Sequence, residues 1–274
     1  MEQEVWSGRL CGHTMAVPEL KAPAAVYFFA EIGLTGIEVL CDEHSGLMLD
    51  ASNALRKEFV QALRDTDVCP VALTPYVHDL NAPDRSLRMR RCGEFRRYID
   101  LAAELGFSII RCYGGTTREG WGRETLPYLL ESLHELAEYA QARNIRIGIE
   151  NHPGTLALSA SETIEIIREV NSPTVGIIFD PANIVAERAG DELEALQMQR
   201  DWIIHVHVKD VKLTPEGRRA ALIGEGDVRW EELIIGLERA GYEGYLALEY
   251  ERKWHPDILP PASQGLPRCI ERLF

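Results

Sequence analysis

Two periods alternate along this chain. Short runs that are almost wholly apolar are separated by longer stretches in which apolar residues recur at three- and four-residue spacing. The first kind predicts strands buried on both faces, the second amphipathic helices. In order, the pattern predicts a weak strand over Glu4–Leu10 with a Cys11–Thr14 loop after it, a helix over Pro18–Ile32 and a strand over Gly36–Leu40. A helix over Ala51–Thr66, a strand over Val68–Leu73, a helix over Asp84–Leu105 stopped by Gly106, and a strand over Ser108–Cys112 follow. Next come a helix over Glu124–Arg143, a strand ending at Glu150, a helix capped by Ser161 and running to Val170, and a strand over Val175–Phe179. The rest reads as a helix over Glu187–Arg200, a strand from Trp202 to His207, a long loop through Gly217 and Gly224–Gly226, a helix over Trp230–Ala240, a strand over Tyr245–Leu248 and a helix over Ala262–Leu273.

Strict alternation of strand and helix requires a parallel sheet with helical crossovers, and eight such units in 274 residues predict a single-domain (β/α)8 TIM barrel over 1–274. No composition shift or Pro/Ser-rich linker divides the chain. No GxGxxG follows the first strand and no GxxxxGK[ST] occurs, so the phosphate-cradling open sheets lack their motif. In a barrel, the C-terminal ends of the strands converge on the mouth, where such enzymes carry out their chemistry.

That geometry gives four distant residues a common destination. The run Ile147–Ile149 ends in Glu150, Val175–Phe179 in Asp180, the strand through His205 in His207, and Tyr245–Leu248 in Glu249. Three carboxylates and one imidazole suit a divalent ion of intermediate hardness. Mn2+ is the first expectation, with Mg2+, Co2+, Fe2+ or Zn2+ behind it. Such an ion, with positions open to two adjacent substrate oxygens, lowers the cost of the enediolate formed when a carbon beside a carbonyl loses its proton. A carboxylate at a strand end is also a common helix N-cap, an objection that bears most on Asp180 before Pro181. Four such ends in one half of the chain outweigh it. His205 and His207 share a face, and the later residue lies nearer the mouth, which favours His207 as ligand and leaves His205 beneath it. By the same reasoning Glu251 overshoots the rim, as a solvated charge or a partner of Arg252 or Lys253.

Charge and cysteine content narrow the partners. A formal net charge of −14, spread along the chain, opposes nucleic acid and anionic membranes. The basic cluster Arg85–Arg97 falls in a helical pattern and reads as a solvated face. No apolar run approaches the roughly 20 residues of a spanning helix, and no signal-like start is present, so a cytoplasmic protein is expected. The six cysteines lack paired CxxC spacing, which argues against a disulfide framework or thiolate zinc. Cys69 and Cys112 read as small apolar residues in strands.

The succession Gly148-Ile-Glu-Asn-His-Pro-Gly154, Phe179-Asp-Pro-Ala-Asn183, His205-Val-His-Val-Lys-Asp210, Gly224-Glu-Gly226 and Leu248-Glu-Tyr-Glu251 resembles the xylose-isomerase-like TIM-barrel superfamily of sugar-phosphate isomerases and epimerases. The resemblance covers nearly the whole chain and is poorly specific for a substrate. It implies that Glu150, Asp180, His207 and Glu249 hold the metal and that Glu150 and Glu249 exchange protons with opposite faces of a carbohydrate. It also makes Asn183 and Glu38 candidates for substrate contact, Asn183 standing where ketose 3-epimerases place a histidine and Glu38 at a recurrent acidic position that contacts a ligand or lies behind one. Leu156 and Leu213 stand where those epimerases have Glu and Arg, a departure that weakens that particular assignment. Lys209-Asp210 instead resembles inosose dehydratases, whose lysine near the metal can polarise a carbonyl. Lys209 faces inward only if the strand continues past His207, and otherwise pairs with Asp210. His152 either faces the Glu150 carboxylate or substrate, or is packing.

The leading expectation is thus a metal-dependent isomerase or epimerase of a sugar or sugar derivative. A dehydratase or lyase on an inosose or keto-sugar shares its first step. An AP endonuclease of the same superfamily would need more histidine ligands and a basic face, and a non-catalytic sugar-binding barrel is the reading outside the enzymes. Related barrels often form dimers or tetramers, so a homo-oligomer is an open expectation. His13, His78, Trp121, Trp254 and His255 fall in predicted mouth-side loops as candidate pocket residues.

Overall fold

Eight parallel strands close on themselves in a computed structural model that describes Trp6 and residues 8–274. The strands are β1 (Leu10–His13), β2 (Gly36–Leu40), β3 (Cys69–Thr74), β4 (Ile109–Tyr113), β5 (Arg146–Glu150), β6 (Val175–Phe179), β7 (Ile203–Val208) and β10 (Leu246–Leu248). Each pairs with its sequential neighbour, and β1 pairs with β10 to close the barrel. The helices are α1 (Ala22–Glu31), α2 (Asn53–Thr66), α3 (Arg85–Leu105), α4 (Leu126–Gln141), α5 (Ala160–Val170), α6 (Pro181–Ala186), α7 (Glu192–Gln199), α8 (Trp230–Arg239) and α9 (Ala262–Leu273). The (β/α)8 barrel expected from the alternation is the fold.

The local chemistry explains most boundaries. Asp84 accepts from the Leu87 N–H at the start of α3, and Gly106, at φ 85°, ends it in the left-handed conformation that glycine adopts without strain. Ser159, not Ser161, caps α5: its hydroxyl accepts from Glu162 N–H while the Glu162 carboxylate accepts from Ser159 N–H, a reciprocal pair that Ser161, already inside the first turn, cannot make.

Three expectations need correction. The first strand begins only at Leu10; Glu4, Val5 and Ser7 lie outside the described residues, and Cys11–His13, expected as loop, are strand. The helix expected over Glu187–Arg200 is shorter, α7 starting at Glu192 with Asp191 as its cap, and a separate short helix that was not expected, α6, starts directly after Asp180, with Gly190 between the two. The long loop after His207 contains an antiparallel hairpin, β8 (Asp210–Thr214) and β9 (Gly217–Ala221). Asp210 organises the return from this hairpin, accepting from the N–H groups of Val211, Gly224, Gly226 and Val228 at 2.9–3.2 Å. A Cβ on Gly226 would lie 1.9 Å from the Asp210 carboxylate, so the loop needs glycine there.

Two apolar clusters build the interior. The larger joins helices to the outer faces of the strands. The smaller comes from strands alone, Cys11, Val71, Ala72, Ile109, Ile178, Ile204 and Ala247, and fills the barrel below the polar layer. Two bulges reset which side chains point inward: Ile37 pairs with Pro70 but Glu38 with Ala72, and Ile177 pairs with Ile203 but Ile178 with His205. All six cysteines are free and five are buried, but Cys69, at the outer start of β3, is exposed rather than packed. The Arg85–Arg97 cluster is not simply solvated either. Arg88 is buried, donating to Ala82 O and Glu131, and Arg91 and Arg96 pair with Glu94 and Glu135. Among the described residues no helix is long and apolar enough to cross a membrane.

Candidate metal centre

Glu150, Asp180, His207 and Glu249 meet at the mouth. Each is buried and offers one ligand atom, and the four atoms lie within 4.8 Å of one another. The folding logic of each is local: Glu150 is the last residue of β5, Asp180 follows β6, His207 lies near the end of β7 and Glu249 follows β10. Asp180 caps a helix and faces the cluster at once. Its Oδ1 accepts from Asn183 N–H at 2.9 Å, capping α6, while its Oδ2 faces the cluster. Asn183 is placed to hold that orientation, donating from Nδ2 to Asp180 Oδ2 and to the Asn151 carbonyl, both at 2.8 Å.

The imidazole of His207 is oriented from below. Its Nε2 lies 3.1 Å from Glu38 Oε1, and its Nδ1 points among carboxylates, 3.1 Å from Glu150 Oε1, 3.4 Å from Glu249 Oε2 and 3.8 Å from Asp180 Oδ2. Glu38 lies in the second strand at full burial, also bonded to His205 Nε2 at 2.8 Å and Thr74 Oγ1 at 2.6 Å, with His13 Nε2 at 3.7 Å. It reaches His207 rather than open space at the mouth, the supporting place among the two expected for it. His205 lies beneath His207, as strand alternation predicts.

Arg111 was missed from the sequence. It sits mid-strand in β4, is 3% exposed, and donates from Nη1 to Glu150 Oε2 at 2.8 Å. Its guanidinium lies over the rings of Tyr113 and Tyr76, 4.1 and 4.9 Å from their centroids. The signal was available: a charged residue inside the apolar run Ile109–Cys112 can be buried only with a partner. His78 stacks on Tyr113 and His152 meets it edge-on, so these four rings wall the Glu150 side of the mouth. His152 also bonds through Nδ1 to Pro153 O at 2.7 Å, and it neighbours Glu150 closely enough to act on its ionisation. Of the other loop candidates, His13 is a buried strand residue beside Glu38, Trp121 lies under Arg118, and Trp254 is half exposed against Met15 and Lys253.

Lys209 faces inward. Its Nζ lies 2.7 Å from both Asp180 Oδ2 and Glu249 Oε2 and 3.6 Å from Glu251 Oε1, away from Asp210, which serves the loop. Glu251 is thus not paired with its sequence neighbours; Lys253 binds Asp42 and Arg252 faces Glu19.

Burial and charge set the protonation. Burial alone would raise the Glu150 carboxyl, but Arg111, His152 and His207 hold it well below the ordinary carboxylate range. Burial likewise raises Glu249, Asp180 and Glu150 add repulsion, and Lys209 and His207 offset only part of this, leaving it pushed up to about 8. Burial would strip the proton from His207, yet Glu38, Glu249 and the bonds to Asp180 and Glu150 lift it well above its usual value. Without an ion among them, Glu150 therefore ionises readily and Glu249 resists ionisation beside the other carboxylates.

These residues fit a divalent ion. With all four buried carboxylates (Glu38, Glu150, Asp180, Glu249) ionised, as a ligating set requires, Arg111 and Lys209 offset only two of the charges, which leaves a surplus of two once His207 is neutral. With Nε2–H committed to Glu38, the Nδ1 lone pair is the one aimed at the other three ligands, the carboxylate–histidine arrangement that fixes a ligating tautomer. Carboxylate-rich sets of this kind suit Mn2+, Mg2+ or similar ions, and zinc is not excluded by the histidine.

The family profile described as xylose isomerase-like TIM barrel matches residues 26–271. The chain belongs to that family. Among xylose isomerase-like relatives, an uncharacterized protein of Methanocaldococcus jannaschii is 28% identical over 201 residues, covering 70% of this chain and 68% of its own length. The inosose dehydratase of Clostridium perfringens is 27% identical over 153 residues, half of each chain. The chain thus spans about half the length of that curated enzyme. The solved IolI protein, with a bound zinc atom, superposes with a TM-score of 0.79 at 19% identity, covering 97% of this chain and 95% of that one, a likeness of fold.

Proposed function

We propose that this xylose isomerase-like barrel is a divalent-metal-dependent isomerase or epimerase of a sugar or sugar derivative, transferring a proton at a carbon beside a carbonyl. The observation that carries this reading is the convergence of Glu150, Asp180, His207 and Glu249 at the barrel mouth. Pairs of titratable groups pushed apart by their surroundings are the pattern of an acid and a base. Glu150, whose charge Arg111 supports, and Glu249, the carboxyl that resists ionisation, exchange the proton with the substrate. The ion, when bound, supplies positive charge against the charge developing on the substrate's adjacent oxygens. Asp180 and His207 hold it, kept in place by Asn183 and Glu38. The aromatic wall of Tyr76, His78, Tyr113 and His152 offers flat apolar faces with polar tips, suited to the faces and hydroxyls of a small carbohydrate.

A second reading, dehydration of an inosose-like or keto-sugar substrate, is favoured by Lys209, whose ammonium lies against the cluster, and by the inosose dehydratase relatives. It begins with the same proton abstraction and ends with Glu249 protonating a departing hydroxyl. Proton exchange tests both. The Mn2+-loaded protein is incubated in D2O with a panel of ketoses, inososes and keto-sugars and carbon-bound protons are followed by NMR. Deuterium uptake next to the carbonyl supports the reading, and the product, a stereoisomer or a dehydrated compound, chooses between the two. Binding without exchange across the panel would overturn both.

A further inference from the structure

We infer that Glu251 is a positioning residue for Lys209: it receives the lysine ammonium when a divalent ion takes that ammonium's place between Asp180 and Glu249. The inference rests on the proposed metal reading and adds a residue outside the four ligands. The two oxygens that Lys209 Nζ contacts at 2.7 Å, Asp180 Oδ2 and Glu249 Oε2, are the same two that face His207 Nδ1. An ion shared by His207, Asp180 and Glu249 therefore contends with Lys209 for them, and two cations cannot remain side by side in a buried site. The lysine must give way, and only its side chain is free to do so, because its backbone carbonyl is held by Trp230 Nε1 at 3.0 Å.

Glu251 is the third carboxylate within reach, 3.6 Å from Nζ. It is uncommitted to the basic residues after it, since Lys253 pairs with Asp42 and Arg252 with Glu19. Its backbone is anchored, its carbonyl accepting from Trp254 and His255 at 3.0 and 3.1 Å. Its side chain is 23% exposed where that of Lys209 is 8%, so the transfer carries the ammonium toward the rim. Lys209, Glu249 and Glu251 line one small cleft beside the hairpin. Lys209 then stands over bound substrate rather than between ligands.

The test is Mn2+ affinity of the metal-stripped full chain, read by calorimetry, for wild type, Glu251→Gln, Lys209→Met and the double variant. Lys209→Met removes the competing cation and should tighten binding about fivefold or more. Glu251→Gln removes the receiving carboxylate and should weaken it by a similar factor. In the double variant Glu251→Gln should add nothing, because it acts only through Lys209. Equal weakening in both backgrounds, or wild-type affinity in Glu251→Gln, overturns the inference. Glu251→Gln keeps the buried Lys209 pairs, so it decides the matter even where Lys209→Met folds poorly. Failure of wild type to bind Mn2+, Mg2+ or Zn2+ removes the metal reading itself, whereas binding with indistinguishable variants removes only the role of Glu251.

Discussion

The two halves of the barrel bury charge in different ways. In the second half, β5, β6, β7 and β10 present Glu150, Asp180, His207 and Glu249 to the mouth at their C-terminal ends, and β7 carries a second polar side chain, His205, within it. In the first half, Glu38 and Arg111 interrupt their strands from within, and each spends its charge on a residue of the other half: Glu38 on His205 and His207, Arg111 on Glu150. Groups that meet a ligand sit where strands end and space opens. Groups that hold them sit one layer down, where every polar atom needs a protein partner. The comparison teaches that half of the candidate site is made of supports, and that the supports come from strands presenting no ligand of their own.

Breaking the mouth should have the largest effect. Glu150→Gln and Glu249→Gln should each abolish turnover, a loss on the order of 10²–10⁴-fold or greater, since each removes a ligand and a proton-transfer group together; kinetics on whichever substrate exchanges deuterium reads this, and full activity in Glu249→Gln would end the proton-transfer scheme. Next is the first-half support. Arg111→Met leaves Glu150 buried without its cation and should cost about 3–5 kcal/mol of stability in denaturant unfolding of the metal-free protein. A loss under about 1 kcal/mol would show that Arg111 does not carry the Glu150 charge. Glu38→Gln, which keeps the shape but loses the charge that orients His207, should weaken metal binding about 10–100-fold, and unchanged affinity would separate the two halves.

The smallest effect sharpens the contrast by lying at the edge of both halves. Burial would raise the Asp42 carboxyl, but Lys253 and the Ser45 N–H bring it below its ordinary value. A folded-state pKa lowered in this way stabilises above the unfolded value and loses that contribution as pH falls through the folded one. Lys253→Met should therefore destabilise by roughly 0.2–1 kcal/mol at pH 7, with the difference fading in acid. A difference that persists at low pH would mean the effect is packing, not charge.

The reactive half was legible because its signals coincide: four apolar runs, each closed by a metal-competent side chain. The supporting half was harder. Glu38 entered through resemblance, with contact to substrate and a supporting place both open, because one sequence does not say which strand lies across the barrel. Arg111 was overlooked because a lone arginine in an apolar run has no partner within its own stretch; Glu150 is 39 positions away. Lys209 was undecided because it is one residue past the last paired position of β7, where alternation ceases to specify direction. Glu251 was left as a solvated charge or a partner of Arg252 or Lys253, for want of knowing that Asp42 and Glu19 had taken those two.

By itself the sequence determined the alternation of buried strand and amphipathic helix, hence a parallel barrel, and the strand ends from which ligands would come. Both are local properties, written in runs of a few residues and fixed by the period of the backbone. Tertiary structure alone decided what those ends face: the bulges at Val71 and Ile204 that set which side chains turn inward, the Glu38 and Arg111 bonds that cross the barrel, and the placement of Lys209 between two carboxylates. Pairings across a closed barrel depend on register and curvature summed over all eight strands, and no single segment contains that information.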